Sequence, residues 1–169
     1  MSNRHTIIES PLGALTLTSR DGVLSGVFYE GHRHMPAEAF FGDRVAPGDP
    51  VFAPAVAQLR EYLRGDRTAF GLEYQVSGNT FQERVWARLE DIPYGETVSY
   101  GTLAAELGDP NLAQAVGSAV GRNPLSIIIP CHRVVGSDGR LTGYAGGLAN
   151  KRFLLELEEP AAVKESKLF

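Results

Sequence analysis

Short apolar runs separated by turn-forming residues fill the start of the chain. The strand candidates are residues 5–9, 14–18 and 23–29. A Ser-Pro-Leu-Gly turn signal at residues 10–13 separates the first two, and Asp21-Gly22 precedes the third. The pattern therefore predicts an antiparallel meander of three strands.

After this meander the apolar period lengthens from strand spacing to helical spacing. The residues that fall on one helical face are Phe52, Val56, Leu59 and Leu63. Gly65 is placed to end this helix. Residues 31–49 are rich in Gly, Pro, His and charged residues, which predicts a loop, and residues 69–76 predict one further strand. Residues 77–79 read as a link to a helix-rich second half.

The second half opens with a helix signal. Thr80 and Glu83 have the spacing of a capping box, and an Ile-Pro-Tyr-Gly sequence at residues 92–95 ends the helix. A second helix is predicted over residues 100–107, with Ser99 as its cap and Gly108 as its stop. A third is predicted from a cap at Asp109 to Gly121. Two short helices in this arrangement are a helix-turn-helix candidate, although such pairs are more often plain helical hairpins than DNA readers.

The composition, with 43% hydrophobic and 21% charged residues, is that of a globular protein. It excludes disordered, collagen-like and coiled-coil chains. The length of 169 residues suits one domain or two small domains that share a core. No apolar run approaches the roughly 20 residues that a membrane span requires, so we expect no membrane association.

Cysteine usage and net charge indicate the cellular compartment and the class of partner. The single cysteine excludes an intramolecular disulfide scaffold and a multi-cysteine zinc module, and the N-terminus lacks the apolar stretch of a secretory signal. We therefore expect a cytoplasmic protein, or a nuclear one if the source is eukaryotic. The net charge of −4 does not indicate a nucleic-acid partner, so a DNA binder of this composition must concentrate positive charge locally.

The third predicted helix is a candidate for such a surface. Residues 111–121 are small around almost the whole helix, and residues 111–137 include no acidic residue, while Arg122 and Arg133 are present. Because a phosphate backbone repels carboxylates, this stretch fits close approach to DNA. A tightly packed core helix explains the small residues equally well at this point.

The chemistry concentrates around Cys131, which follows an Ile-Ile-Ile-Pro run and precedes His132 and Arg133. Adjacent cations lower the pKa of a thiol, which makes Cys131 a candidate nucleophile. The Cys-His pair is weak evidence alone, because neighbouring residues on a strand point to opposite faces. Only a turn at Pro130 would allow both side chains to serve one site.

The run from Ile129 to Val134, Ile-Pro-Cys-His-Arg-Val, resembles the acceptor-site motif of the O6-alkylguanine-DNA alkyltransferases. Further segments match in the family's order and spacing: Phe81-Gln82, Val85-Trp86, Pro93-Tyr94-Gly95, Ser99-Tyr100, Ala115-Val116-Gly117, Gly121-Arg122-Asn123-Pro124, Gly143-Tyr144 and Gly146-Gly147-Leu148. The resemblance is strong over residues 81–158 and weaker before them.

The resemblance implies an α+β fold in two domains. Residues 1–76 would form a small ribonuclease H-like α/β domain. Residues 80–159 would form a helical, winged-helix-like domain that carries the helix-turn-helix and the active site. Residues 160–169 are expected to be a peripheral tail.

The activity implied is irreversible, stoichiometric transfer of the alkyl group from O6-alkylguanine, and also O4-alkylthymine, in DNA to Cys131, without a cofactor. His132 would act as a base through a water and Glu158 would orient it. Tyr100 would donate to the leaving guanine, and Asn123 would pin the turn before the active-site segment. We expect no metal, because one cysteine with His5, His32 and His34 does not make the usual zinc set.

The resemblance also implies how double-stranded DNA is held. The third helix would enter the minor groove and the damaged nucleotide would be flipped out. The implied DNA-binding residues are Gln114, Ala115, Gly117, Ser118, Ala119, Arg122 and Arg133. The implied substrate-binding residues are Val134, Tyr144, Ala145, Gly146 and Lys151. A monomer is expected, with cooperative binding along DNA left open.

Two positions depart from the family pattern. Gln114 stands where many members have an arginine that replaces the flipped base, and Ala145 stands where some have a serine. Two alternative functions follow. One is a lesion sensor that binds alkylated DNA without repairing it, although such sensors lack the acceptor cysteine. The other is a cysteine hydrolase with a Cys-His-Glu set, which would leave the helix-turn-helix unexplained.

Overall fold

The three predicted strands pair as an antiparallel meander in the computed structural model, which describes residues 2–160. They are β1 (Asn3–Ile8), β2 (Leu15–Arg20) and β3 (Val23–Tyr29). Asp21 and Gly22 both have positive φ, at 50° and 82°, as expected of a two-residue hairpin turn whose twist matches its strands. The meander was therefore predicted correctly.

The segment after the meander is more structured than predicted. The loop predicted over residues 31–49 includes a 3-10 turn (Glu38–Phe40) and a short strand β4 (Asp43–Arg44), which pairs parallel to β1 at the sheet edge. The strand predicted over residues 69–76 is wrong. Only an isolated bridge between Tyr74 and Leu24 forms there, and the residues on either side of Tyr74 do not continue the pairing.

The predicted helix after Pro50 is present as α1 (Ala53–Leu63), and Gly65 follows it with a φ of 83°. Such a left-handed residue just beyond a helix is a position that glycine adopts without a steric penalty. The buried residues of α1 belong to the same core as the buried residues of the sheet: Ala55, Val56, Leu59, Tyr62 and Leu63.

Up to residue 160, where the described part of the chain ends, the second half forms four α-helices and a two-stranded parallel sheet. The helices are α2 (Thr80–Glu90), α3 (Tyr100–Glu106), α4 (Ala113–Gly121) and α5 (Leu148–Leu157). The strands are β5 (Val98–Ser99) and β6 (Val134–Val135). The capping box of α2 was predicted one residue late. Asn79 is the N-cap and exchanges hydrogen bonds with Gln82, since the Asn79 side chain accepts from the Gln82 N–H at 2.8 Å.

The helix-turn-helix pair α3 and α4 forms with one difference from the prediction. Ser99 caps α3 as predicted, by accepting from the Thr102 N–H at 3.0 Å. Asp109 caps a 3-10 turn (Pro110–Leu112), and α4 begins only at Ala113. One face of α4 is buried against α2, where Trp86 Nε1 donates to the Ala119 carbonyl at 2.8 Å. The core-helix interpretation therefore holds for this face. The other face is exposed, and its contact with DNA stays a prediction.

The two halves join at the segment that precedes the cysteine. Leu125 forms a parallel bridge with Val27 of β3, and the Val27 N–H donates to the Pro124 carbonyl at 2.9 Å. The apolar residues of both halves form one continuous core. The site segment is therefore held against the N-terminal sheet. Within residues 2–160, no helix is long and apolar enough to cross a membrane.

Candidate active site

The chain makes a tight turn at Pro130. Pro130 has φ −78° and ψ 65°, and the Cys131 N–H donates to the Ile129 carbonyl at 2.7 Å. This geometry is an inverse γ-turn, and a 3-10 turn (Cys131–Arg133) follows it. The segment directly before the cysteine, residues 126–130, is not a strand, and Ile127 within it has a positive φ of 73°. The turn that the sequence required for a shared Cys-His site is therefore present.

Asn123 holds this turn together from within. Its side chain is buried, its Nδ2 donates to the Ile129 carbonyl at 2.9 Å, and its Oδ1 accepts from the Leu125 N–H at 3.0 Å. The same side chain also hydrogen-bonds to the Cys131 thiol. Asn123 thus links the end of α4 to the cysteine, as the sequence predicted for the residue that pins this turn.

Cys131 is almost completely buried, and burial raises the pKa of its thiol. Hydrogen bonds with Asn123 and Tyr144 and the charge of Lys151 oppose this shift without cancelling it. The sulfur is therefore a neutral thiol in the free protein at neutral pH. The cation that favours the thiolate is Lys151, whereas the sequence had suggested the adjacent arginine.

His132 is fully buried and oriented by Glu158. His132 Nε2 lies 2.8 Å from Glu158 Oε2, whereas Nδ1 has no hydrogen-bond partner among the described residues. Burial lowers the pKa of His132, and the charge of Arg133 acts in the same direction against the raising effect of Glu158. The imidazole is therefore neutral, and the carboxylate fixes the proton on Nε2. Nδ1 is left as the basic nitrogen.

Glu158 is buried rather than solvated at the end of α5. Arg133 donates to both of its oxygens, from Nε at 2.8 Å and from Nη2 at 2.9 Å, and the Tyr62 hydroxyl donates to Oε2. Burial by itself would raise the pKa of Glu158, but the hydrogen bonds from His132 and Arg133 lower it to about 2. The carboxylate is therefore ionised at neutral pH.

This pairing contradicts one predicted DNA contact. Arg133 is 7% exposed, and Nη1 also donates to the Ile92 carbonyl at 2.6 Å. A buried carboxylate needs a cationic partner to offset its loss of hydration. Arg133 therefore neutralises Glu158 inside the protein and does not contact DNA.

A cavity of about 420 Å³ opens between α4 and the loop that precedes α5. Its lining includes six of the predicted site residues: Tyr100, Gly117, Ser118, Arg122, Tyr144 and Ala145. The Tyr144 hydroxyl lies 2.7 Å from the Tyr29 hydroxyl and also hydrogen-bonds to Cys131. The Tyr144 side chain therefore lies between the cavity and the Cys131 sulfur.

Three predicted substrate contacts, Val134, Gly146 and Lys151, lie behind this lining. Val134 is buried in β6. Gly146 packs on the Tyr29 ring so closely that a Cβ atom would lie 2.2 Å from it. Lys151 Nζ donates to the Thr142 carbonyl at 2.7 Å, and burial lowers the pKa of Lys151 to about 8. Gly146 and Lys151 thus shape the loop that bears Tyr144.

The predicted DNA-binding residues of α4 divide by face. Gln114, Ala115 and Ser118 are exposed, and Gly117 is half-buried. Ala119 is buried, with its carbonyl bonded to Trp86, so its prediction as a DNA contact is wrong. A helix of small residues gives no sequence signal of which face is covered, and the bulky residues of α2 decide it.

Sequence reasoning missed the residues that the N-terminal half contributes. Tyr62, Tyr29 and Arg33 all reach the site region. Tyr62 lies on the apolar face of α1 and reads as an ordinary core residue, because its polar partner is far away in sequence. Within the described part of the chain, no cluster of His, Cys, Asp and Glu could hold a metal ion.

Comparisons with known proteins give a consistent result. Residues 80–160 match the family described as 6-O-methylguanine DNA methyltransferase, DNA binding domain, and residues 3–75 match the ribonuclease-like domain of the same enzyme. A methylated-DNA–protein-cysteine methyltransferase of Mycobacterium tuberculosis is 45% identical over 162 residues, which are 96% of each chain. The constitutive enzyme of that name from Bacillus subtilis is 40% identical over 157 residues, 92% of this chain and 95% of that one.

Solved structures identify the same family as the sequence comparisons do. The crystal structure of Mycobacterium tuberculosis OGT in complex with DNA is 44% identical, with a TM-score of 0.82 over 95% of this chain and 97% of that one. These matches confirm the predicted fold class, in which an N-terminal ribonuclease-like α/β domain precedes a helical DNA-binding domain.

Proposed function

The chain belongs to the 6-O-methylguanine DNA methyltransferase family, and from that membership we infer that it is a methylated-DNA–protein-cysteine methyltransferase. It repairs DNA by direct reversal and takes the alkyl group onto itself. The observation that carries this function is Cys131 on a tight turn beside the buried His132–Glu158 pair, one side chain from a cavity that α4 helps to form.

The geometry supports a single displacement at the alkyl carbon. The thiol proton of Cys131 passes to His132 Nδ1, through a bridging water, and the imidazolium is stabilised by Glu158. The sulfur attacks the alkyl carbon, the carbon–O6 bond breaks, and its electron pair leaves with guanine. The new bond is a thioether, which water does not hydrolyse, so each chain reacts once.

Tyr100 is proposed to stabilise the leaving guanine. It lines the cavity, and burial raises the pKa of its hydroxyl, so the hydroxyl carries its proton at neutral pH. Expelling guanine builds negative charge on the ring, and a hydrogen-bond donor at this wall lowers the energy of that charge.

The DNA partner is expected to be duplex DNA that contains O6-alkylguanine, with O4-alkylthymine as a second substrate. O6 faces the interior of the duplex, so the nucleotide must be extruded before its base can enter the cavity. The exposed face of α4, with Gln114, Ala115 and Ser118, offers a surface of small side chains for the minor groove. We propose that the chain acts as a monomer in the cytoplasm, or in the nucleus if the source is eukaryotic.

The sensor function is not favoured. Its defining feature is the absence of the acceptor cysteine, whereas Cys131 is present with its base and orienting carboxylate. The relatives that match nearly the whole chain carry the name of the methyltransferase.

Intact-protein mass spectrometry after incubation with a duplex that contains O6-methylguanine tests the proposal. We expect one methyl group per chain, mapped to Cys131, and none on the Cys131→Ser variant. Lesion binding without a mass change would favour the sensor, and folded protein that neither binds nor reacts would contradict the activity.

A further inference from the structure

Two arginine side chains from separate parts of the fold line the cavity beside α4. Arg33 belongs to the loop that follows β3, and Arg122 caps the C-terminal end of α4. Both residues are exposed. Among residues 2–160, neither guanidinium group has a hydrogen-bond or ion-pair partner, in contrast to the buried Arg133.

The loop that carries Arg33 is fastened to the cavity wall. The Arg33 N–H donates to the Ala145 carbonyl at 2.9 Å, and the Tyr29 hydroxyl at the end of β3 lies 2.7 Å from the Tyr144 hydroxyl. Both contacts join the N-terminal half to the loop that forms one side of the cavity. The backbone of Arg33 is therefore fixed beside the cavity, and its side chain lines the cavity.

Arg33 and Arg122 are the charged residues of the cavity lining, whereas Lys151 lies behind it, with Nζ 5.8 Å from the centroid of the Tyr100 ring. The exposed face of α4 is uncharged, since residues 111–121 contain no charged side chain. His34 lines the same cavity, and partial burial together with the charges of Arg122 and Arg33 lowers its pKa. The imidazole is therefore neutral at neutral pH, and the two arginines supply the positive charge at this position.

We propose that Arg33 and Arg122 together bind a phosphate of the flipped nucleotide, so that the N-terminal half forms part of the DNA interface. This inference rests on the proposed function. A base that enters the cavity leaves its own phosphates at the rim, where the two guanidinium groups are exposed. Guanidinium groups bind phosphate oxygens in bidentate fashion, and such contacts fix the position of the nucleotide without reading sequence.

The salt dependence of DNA binding tests the proposal. In a Cys131→Ser background that prevents transfer, the affinity for a duplex with O6-methylguanine is measured over a range of salt concentrations. Loss of one phosphate contact reduces the slope of log K against log salt by about 0.9 and weakens binding by about tenfold at about 50 mM salt. We expect this for Arg33→Ala and for Arg122→Ala, whereas Arg33→Lys retains the slope.

Arg60→Ala is the matched control, because Arg60 is exposed on α1 and does not line the cavity. We expect its slope to equal that of the parent protein. An unchanged slope for Arg33→Ala, or an equal loss for Arg60→Ala, would overturn the proposal.

A substrate without phosphate separates this inference from the proposed function. Methyl transfer from the nucleoside O6-methyl-2′-deoxyguanosine should be equally fast in the wild type and in Arg33→Ala, because no phosphate is present. Transfer from a limiting amount of duplex should be slower in Arg33→Ala. If the wild type accepts methyl from neither substrate, the proposed function fails. If the wild type reacts with the duplex and Arg33→Ala retains full affinity, only the phosphate contact fails.

Discussion

The hydroxyl of Tyr62 offers a quantitative test of the buried network around Glu158. It comes from α1 and donates to Glu158 Oε2, the same oxygen that lies 2.8 Å from His132 Nε2. Tyr62→Phe removes this donor and preserves the ring, which packs against Phe70 and Tyr94 with centroid distances of 5.1 and 6.1 Å. The substitution therefore reports on one hydrogen bond to a buried charge.

The expected loss follows from the charge of the acceptor. A hydrogen bond to an ionised group contributes about 1.5–3 kcal/mol, and no donor is left unsatisfied by the change, so we expect a loss of about 2 kcal/mol. For a chain of this size that corresponds to a decrease in Tm of roughly 4–8 °C. Because Arg133 and His132 still hold the carboxylate, the rate of methyl transfer should fall by less than about tenfold, the equivalent of 1.4 kcal/mol.

Tyr94→Phe is the matched control, since Tyr94 belongs to the same aromatic cluster but donates to the neutral Leu157 carbonyl at 3.3 Å. A long, half-buried hydrogen bond between neutral groups contributes about 0.5 kcal/mol. Urea unfolding of both variants, followed by fluorescence and circular dichroism, gives the comparison. A loss for Tyr62→Phe no larger than that for Tyr94→Phe would refute the role of Tyr62 as a donor to a charged carboxylate.

Three further outcomes can be measured. Burial would raise the pKa of Glu158, but its hydrogen bonds lower it from 4.5 to about 2. The ionised carboxylate therefore contributes about 3 kcal/mol to the free energy of unfolding above pH 4.5, and this contribution is lost as the pH falls towards 2. Urea titrations at several pH values should show this dependence in the wild type and not in Glu158→Gln. Gly146→Ala should lower the free energy of unfolding by about 1–3 kcal/mol and slow transfer, because the new Cβ would overlap the Tyr29 ring. Gly48→Ala, which has open space at its Cβ and lies outside the cavity lining, should match the wild type in urea unfolding and in transfer rate. Gln114→Arg should strengthen duplex binding or speed repair by about fivefold, the equivalent of about 1 kcal/mol, and equal binding and single-turnover rates would show that this position does not limit the reaction.

Local signals in the sequence predicted most of the elements but not the partners of their side chains. Asp21-Gly22, Ser99 and Gly65 each specify a turn, a cap or a stop from one or two residues, and the structure contains all three features. The extent of the segment over residues 69–76 depends on pairing with a distant strand, and its apolar residues also suit a covered loop. That prediction was therefore wrong for a physical reason.

The site shows the same division between local and distant information. The Pro-Cys-His-Arg run and the resemblance it carries were enough to place Cys131, His132 and Glu158 together. Arg133 was assigned to DNA because it lies in a stretch without acidic residues that includes the predicted DNA-binding helix. Its burial follows from the need of Glu158 for a cationic partner, and nothing within the motif itself reveals that need.

The N-terminal half completes the active site rather than only covering it. The Tyr62 hydroxyl donates to Glu158, the Tyr29 hydroxyl bonds to Tyr144, and the Arg33 N–H bonds to Ala145. Two of these contacts hold the loop that carries Tyr144 and Ala145, and the third holds the carboxylate that orients His132. A C-terminal fragment would lose all three contacts and expose the apolar residues that pack on β3 and α1. Separation of the domains should therefore impair the orientation of His132 and the shape of the cavity together, even though every residue of the Cys-His-Glu set belongs to the second half.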